Sequence, residues 1–270
     1  GLFTFNGQLN TGVTIRTVQL RDKVATVRAG ATLLFDSIPA EEEKETRLKA
    51  EAFLNAVTLE DYTPDKRFRP LGKMPTGKRV LFVDCQDSFV HTLANYVRQT
   101  GVEVITLRAG FKPEKMDEIK PDLVFLSPGP KTPRDQQVPE VVGEAVKRNL
   151  PVFGVCLGHQ GIAEYFGAEL GVLPEPMHGK ESLVHHNEKG IFSGIHDPFL
   201  GGRYHSLYVK PETVPDCLEV TAKTKDGVIM ALQHKTLKIA SVQFHPESIL
   251  TLQDDIGIKI IANVIEQLTK

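Results

Sequence analysis

From residue 79 onward the chain alternates short apolar runs with segments whose apolar positions return every three or four residues. The runs 79–84, 102–107, 122–126 and 152–155 read as strands buried on both faces, and 88–99, 138–148 and 157–166 read as the helices between them. Strand and helix in turn predict an α/β fold, a mostly parallel sheet with helices on both faces. Beyond Gly167 the pattern shifts to shorter strands and turns, with a β-type run at 239–244 and a closing helix at 252–268. Residues 1–57 are patterned differently. Segments 13–20 and 23–29 are β-rich around the Arg21-Asp22 turn, and 39–57 carries Leu48, Ala52, Phe53, Ala56 and Val57 toward one side of a helix. Glu41, Glu42, Glu43 and Glu45 open that helix, where acidic side chains suit the positive end of its dipole. Between the two patterns, residues 58–77 hold three prolines, two glycines and no periodicity, and read as a linker. The expected organisation is a small α+β portion at 1–57, a linker at 58–77 and an α/β domain at 78–270.

Composition narrows the class of function. At 270 residues and 41% apolar, the chain can bury an ordinary soluble core in two units at most. Its 32 basic and 34 acidic residues are mixed along the sequence for a net charge of −2, which provides no field for nucleic acid or an anionic membrane. Small polar substrates fit better. Cys85, Cys156 and Cys217 are odd in number, widely spaced and outside any metal-ligand pattern, so free thiols in a reducing cytoplasm are expected rather than disulfides. The opening Gly1-Leu2-Phe3 lacks the pattern of a signal peptide and already looks strand-like, which predicts a fragment of a longer polypeptide.

The chemistry concentrates in one turn. Val152-Phe153-Gly154-Val155 leads into Cys156-Leu157-Gly158-His159-Gln160, an apolar run entering a Gly-x-Cys-x-Gly turn from which a helix leaves. Small residues beside Cys156 let a strand reverse into a helix and lift the sulfur out beside free backbone N–H groups. A thiolate there gains from the helix N-terminal dipole. Far downstream, His245-Pro246-Glu247 puts an imidazole and a carboxylate two residues apart, on one side of an extended segment. An isolated cysteine between apolar residues is usually inert core. Joined to the His/Glu pair and to the loop Ser127-Pro128-Gly129-Pro130, it reads as a thiol triad of Cys156, His245 and Glu247.

These motifs resemble the class I glutamine amidotransferases of the triad type over about residues 78–270, and in particular the branch serving chorismate-using synthases. The resemblance implies a flavodoxin-like sheet, no cofactor for this domain, and hydrolysis of L-glutamine to glutamate and ammonia through a Cys156 thioester. It implies His245 as proton carrier, Glu247 as its orienting carboxylate, and an oxyanion hole formed by the backbone N–H groups of Gly129 and Leu157. Glutamine would be held by the Gly129-Pro130-Lys131 loop, by Gln160, and by backbone at Ser206 and Leu207 within Arg203-Tyr204-His205-Ser206-Leu207. Met177-His178-Gly179-Lys180 would lie near a partner synthase. Asp84-Cys85-Gln86-Asp87-Ser88-Phe89 matches the family's Asp-x-x-Asp-Ser-Phe turn, with Cys85 incidental. Lys131 departs from the family's Pro-Gly-Pro-Gly loop. If its position needs positive φ, the lysine strains or displaces the loop, and an oxyanion hole that matures on synthase contact is expected.

In the first portion, Asn6-Gly7, Thr14-Ile15-Arg16-Thr17, Ala29-Gly30-Ala31-Thr32 and Glu42-Glu43-Lys44-Glu45-Thr46 resemble the C-terminal end of a chorismate-binding synthase. By that resemblance Arg16 would pair with a chorismate carboxylate and the backbone at Gly30, Ala31 and Thr32 would approach chorismate, although Thr32 stands where many relatives have glycine. Glu45, with Glu42 one turn before it, would hold Mg²⁺, which prefers hard carboxylate oxygens. So few residues cannot bury a core alone, and the remainder of such a site is expected upstream, so the chain by itself should bind no chorismate. Synthase end, linker and amidotransferase together resemble the fused anthranilate synthases of tryptophan biosynthesis, which use glutamine-derived ammonia to convert chorismate to anthranilate and pyruvate. This implies a synthase domain in the same polypeptide as partner and a homodimer at full length. Aminodeoxyisochorismate synthases of phenazine pathways and 4-amino-4-deoxychorismate synthases are built from similar parts. A catalytically silent docking module and a thiol peptidase are the readings of a different class; the intact triad argues against the first and the grip on a free amino acid against the second.

Overall fold

Successive residues of β5 (Arg79–Asp84) point into two separate cores in the computed structural model of the chain, which describes residues 2–3, 9–10, 17–21, 24–28, 39–40, 43, 46–47 and 76–270. Val80 and Phe82 join one apolar cluster, Leu81 and Val83 the other. The same division runs through β7 (Leu123–Leu126) and β8 (Val152–Val155), whose residues are all buried. Burial on both faces is why these strands read as unbroken apolar runs. Phe125 stacks on Phe82 and meets Phe153 edge-on, with ring centroids 5.0 and 5.1 Å apart. Truncating such a buried ring to Ala costs about 3–5 kcal/mol. Helices α1 (Val90–Gln99) and α5 (Ile256–Leu268) cover the first cluster, and α2 (Glu114–Ile119), α3 (Val138–Lys147) and α4 (Leu157–Tyr165) cover the second.

The remaining strands of this sheet are β6 (Glu103–Arg108), β9 (Leu170–His186), β10 (Phe199–Val209), β11 (Leu218–Thr224), β12 (Ile229–His234) and β13 (Ile239–Val242). The nine strands lie in the order β10-β9-β11-β12-β13-β8-β7-β5-β6. From β6 to β13 all neighbours are parallel, as the strand–helix rhythm predicts; from β13 to β10 all are antiparallel.

The second half departs from the short strands expected beyond Gly167. Strand β9 runs for 17 residues and pairs with the 11 of β10. Pro174 and Pro176 fall between the paired positions Val172 and Met177, where the ladder shifts register. A bulge there absorbs residues that cannot donate to the ladder. The closing helix begins at Ile256 rather than 252, after two single 3₁₀ turns, Ile249–Thr251 and Gln253–Asp255. Helix α2, six residues long, is too short to show a period in the sequence.

The chain separates into two compact units, Gly1–Phe68 and Arg69–Lys270. In the first, β1 (Leu2–Phe3) pairs antiparallel with β2 (Leu9–Asn10), and β3 (Thr17–Arg21) with β4 (Val24–Arg28). Residues 39–40, 43 and 46–47 are helical. Arg16, Gly30, Ala31, Thr32, Glu42 and Glu45, to which the family resemblance assigns chorismate and Mg²⁺ contacts, lie outside the described residues, as does most of the 58–77 segment.

Candidate active site

At the end of β8 the chain turns at Cys156 directly into α4. Cys156 has φ 53° and ψ −100°, a conformation L residues rarely adopt and one that costs of order 1–3 kcal/mol. Its surroundings hold it there. The Cys156 N–H donates to Val242 O of β13 at 2.8 Å, and Gln160 N–H donates to Cys156 O at 3.0 Å. Helix α4 passes so close to β7 that a Cβ on Gly158 would lie 2.6 Å from Leu126 O, a gap only glycine fits. The sulfur thus sits at the carboxyl end of a parallel strand beside a helix N-terminus, where open α/β sheets bind their ligands. Cys156 is 5% exposed and lines a cleft of about 260 Å³ together with Gly129, Pro130, His178, Tyr204 and His245.

His245 reaches the cleft from the antiparallel half. Strand β13 stops at Val242, and His245 then forms an isolated antiparallel bridge with Gly202 of β10, its N–H donating to Gly202 O at 2.9 Å. Thr251 closes the corner: its hydroxyl donates to His245 O at 2.7 Å and accepts from Gly202 N–H at 2.9 Å. Pro246 and Glu247 lie in a turn rather than the extended segment expected, and the turn returns Glu247 to the ring. His245 Nδ1–H donates to Glu247 Oε1 at 2.8 Å, with the two side chains 3% and 1% exposed. A carboxylate only accepts, so Nδ1 carries a proton and Nε2 is the face left for chemistry.

Burial by itself lowers the proton affinity of His245, but Glu247 and Cys156 outweigh it and raise its pKa well above the ordinary value. Nε2 has no partner in full hydrogen-bond geometry among the described residues, and Cys156 acts on the ring chiefly through charge. The Tyr204 ring packs edge-on against His245 with centroids 5.0 Å apart, and its hydroxyl shares a hydrogen bond of 3.1 Å with Ser248 Oγ. His178 meets the same tyrosine edge-on at 5.5 Å.

The other residues singled out in the sequence divide between the cleft and a neighbouring buried network. Gly129 and Pro130 line the cleft, and a Cβ on Gly129 would lie 2.4 Å from Cys85 O. Lys131 is exposed and has φ 68°, so the lysine adopts the left-handed conformation suited to the glycine it replaces. Leu157 is the first residue of α4 and fully buried. Gln160 lies beneath the surface: its Nε2 donates to Leu207 O at 3.0 Å and to Gln243 Oε1 at 3.1 Å. The same Leu207 carbonyl accepts from His205 Nδ1–H at 2.8 Å, and Arg203 Nε donates to His205 Nε2 at 3.0 Å. Ser206 is exposed. Among the described residues no cluster of His, Cys, Asp and Glu could hold a metal ion. His178, placed by its motif near a partner, is on the cleft wall with Phe89. The packing of Tyr204 on His245 was not foreseen; the pattern of its segment marks only a strand end.

A strained cysteine elbow at the carboxyl edge of a parallel sheet, beside a buried imidazole–carboxylate pair, brings together the groups that thiol-dependent acyl transfer uses. Comparison with known proteins narrows the class. Residues 81–264 match the family described as glutamine amidotransferase class-I, and residues 1–55 match chorismate binding enzyme. The chain is 48% identical over 270 residues to the anthranilate synthase of Azospirillum brasilense, an alignment covering 99% of this chain but 37% of that relative's length. It is 43% identical over 195 residues to the aminodeoxychorismate/anthranilate synthase component 2 of Bacillus subtilis strain 168, covering 71% of this chain and 97% of the relative. Among solved structures, a putative GMP synthase subunit from Thermoplasma acidophilum is similar at TM-score 0.63 and 25% identity, covering 71% of this chain and 94% of that one. The chain belongs to the class-I glutamine amidotransferase family.

Proposed function

We propose that residues 78–270 hydrolyse L-glutamine to glutamate and ammonia, and that the ammonia serves a synthase portion of the same polypeptide that converts chorismate to anthranilate and pyruvate. The observation that carries the hydrolysis is the buried His245–Glu247 pair beside the strained Cys156. Cys156 Sγ attacks the side-chain amide carbon and its proton passes to His245 Nε2. Charge developing on the amide oxygen is met by the N–H groups of Leu157 and Gly129; losing one such donor costs about 3 kcal/mol. The imidazolium, stabilised by Glu247, gives its proton to the departing nitrogen, and ammonia leaves a thioester on Cys156. Water activated by His245 then releases glutamate and restores the thiol.

The synthase half of the proposal is supported by the match of residues 1–55 to chorismate binding enzyme and by the similarity to the Azospirillum anthranilate synthase. In this reading Arg16 and residues 30–32 belong to the chorismate site, and Glu42 and Glu45 to its Mg²⁺ site. The fusion keeps the ammonia source at high effective concentration, a homodimer is the full-length assembly, and the cytoplasm is its compartment. The Bacillus relative's name joins aminodeoxychorismate and anthranilate, and the similarity to it favours neither alternative product over anthranilate.

The purified chain should release ammonia from glutamine and take up an electrophilic glutamine analogue at Cys156. Cys156→Ala should abolish labelling and slow ammonia release by at least about 10⁴-fold. Ammonia release at the wild-type rate by that variant would exclude the reading.

A further inference from the structure

The proposed hydrolysis requires the Gly129 N–H to stand ready for charge on the substrate oxygen, yet glycine is the residue least able to fix its own backbone. Pro128 and Pro130 flank it and restrict the residues around it. What they leave free is rotation of the peptide between Pro128 and Gly129, which would exchange its N–H for its C=O.

Ser127, fully buried at the end of β7, is tied on three sides. Its N–H donates to Val83 O at 3.1 Å, its Oγ accepts from Cys85 N–H at 2.9 Å, and its hydroxyl donates to Pro128 O at 2.7 Å. Because the Cys85 amide supplies a proton to Oγ, the hydroxyl's own proton is free to go to the Pro128 carbonyl. The Pro128–Gly129 bond is trans, so its C=O and N–H point in opposite directions. Tying the carbonyl to Ser127 therefore sets the direction of the Gly129 N–H. Turning the peptide over would break this bond and leave a buried hydroxyl without an acceptor.

We propose that the Ser127 hydroxyl is a positioning group that locks the Pro128–Gly129 peptide with its N–H on the Cys156 side of the cleft before glutamine arrives. The inference rests on the glutaminase reading and deepens it, and it replaces the expectation of a hole that matures on synthase contact with a donor set within the chain. It also separates two effects within one loop: Lys131 strains the far end, while Ser127 holds the peptide that matters from the near end.

The test compares Ser127→Ala and Ser127→Thr with wild type in glutamine hydrolysis and in alkylation of Cys156 by iodoacetamide. Alkylation displaces iodide at a saturated carbon and develops no oxyanion, so it reports the thiol without the hole. Ser127→Ala should lower kcat by about 10- to 100-fold, because a misdirected donor approaches the loss of one. KM for glutamine should stay within about threefold, the pattern of an interaction made in the transition state only. Alkylation should be unchanged, and Ser127→Thr, which keeps the hydroxyl, should recover most of kcat. Wild-type kcat in Ser127→Ala overturns the proposal, as does a parallel fall of hydrolysis and alkylation, which would mark a general role in folding. A wild-type chain that hydrolyses no glutamine sinks the functional reading, and this inference with it.

Discussion

The two halves of the sheet contribute to the cleft by different physics. The parallel half presents Cys156 through its backbone, in a strained turn clamped between the end of β8, the start of α4 and a hydrogen bond to β13. The antiparallel half holds His245 through a bridge to β10 and tunes it through side chains, Glu247 above all. On the proposed reading, a nucleophile placed by backbone should tolerate changes in neighbouring side chains, whereas a base tuned by charge should not. Position comes from one half and proton affinity from the corner with the other.

Glu247→Gln tests that division most sharply. It keeps the side-chain shape but removes the largest charge that raises the His245 pKa, so that burial, opposed by Cys156 alone, pulls it down. Glutamine hydrolysis should fall by about 10³- to 10⁴-fold, the scale seen when a triad carboxylate becomes an amide. The reaction needs an imidazolium to protonate the departing nitrogen, so the alkaline limb of kcat/KM should move to lower pH. Stability follows the same sign. A raised folded pKa contributes stability that is fully present below the unfolded value near 6.5 and is lost as pH rises through the folded one. The variant's deficit in urea midpoint should therefore be largest at acid pH. An unmoved alkaline limb would break the comparison, since it would show that Glu247 does not tune the ring.

Two further histidines, one from each half, extend the contrast to stability. His159 on α4 and His205 on β10 are buried, and their pKa values are lowered to about 3 and about 4, chiefly by burial, with nearby positive groups adding to the shift and the Leu207 carbonyl opposing it at His205. Both are neutral when folded and take a proton near pH 6.5 when unfolded, so their contribution is present above 6.5 and lost as pH falls toward 4. Each should contribute a slope of roughly 1.4 kcal/mol per pH unit within that window. Urea unfolding at several pH values should show this acid loss, and His205→Gln should remove about half of the two-histidine slope. An unchanged slope would mean that the His205 network opens to water.

The parallel half was legible in the sequence because its central strands are buried on both faces and its turns are local. The observed bounds of β5 and β8 fall where the apolar runs begin and end, and the elbow at Cys156 follows from glycines two residues to either side. The antiparallel half was not. Pro174, Pro176 and Gly179 look like the residues of turns, and only pairing with β10 makes them bulges in one long strand. The His-Pro-Glu spacing found the pair but not its geometry, since a turn and a bridge to Gly202, more than forty residues earlier, set it. Ser127 and Tyr204 make hydrogen bonds with partners 42 and 44 residues away, which no local pattern displays.

Lys131 offers the smallest effect and the finest test of how the parallel half is held. An exposed lysine in the left-handed region costs about 1 kcal/mol or more relative to a right-handed residue. Glycine avoids that strain but gives the unfolded chain extra freedom worth about 0.4–1 kcal/mol. Lys131→Gly should therefore raise stability by only about 0.5 kcal/mol, read as a small upward shift in urea midpoint. The loop beyond it is anchored independently, with Thr132 N–H and hydroxyl both donating to Asp135 Oδ2, at 3.1 and 2.6 Å. With Ser127 fixing the near end and Asp135 the far end, glutamine hydrolysis should stay within about threefold of wild type. A rise of tenfold or more would instead mean that the lysine misdirects the oxyanion loop in the isolated chain, and that strain in the backbone, which places Cys156 so firmly, works against the donor beside it.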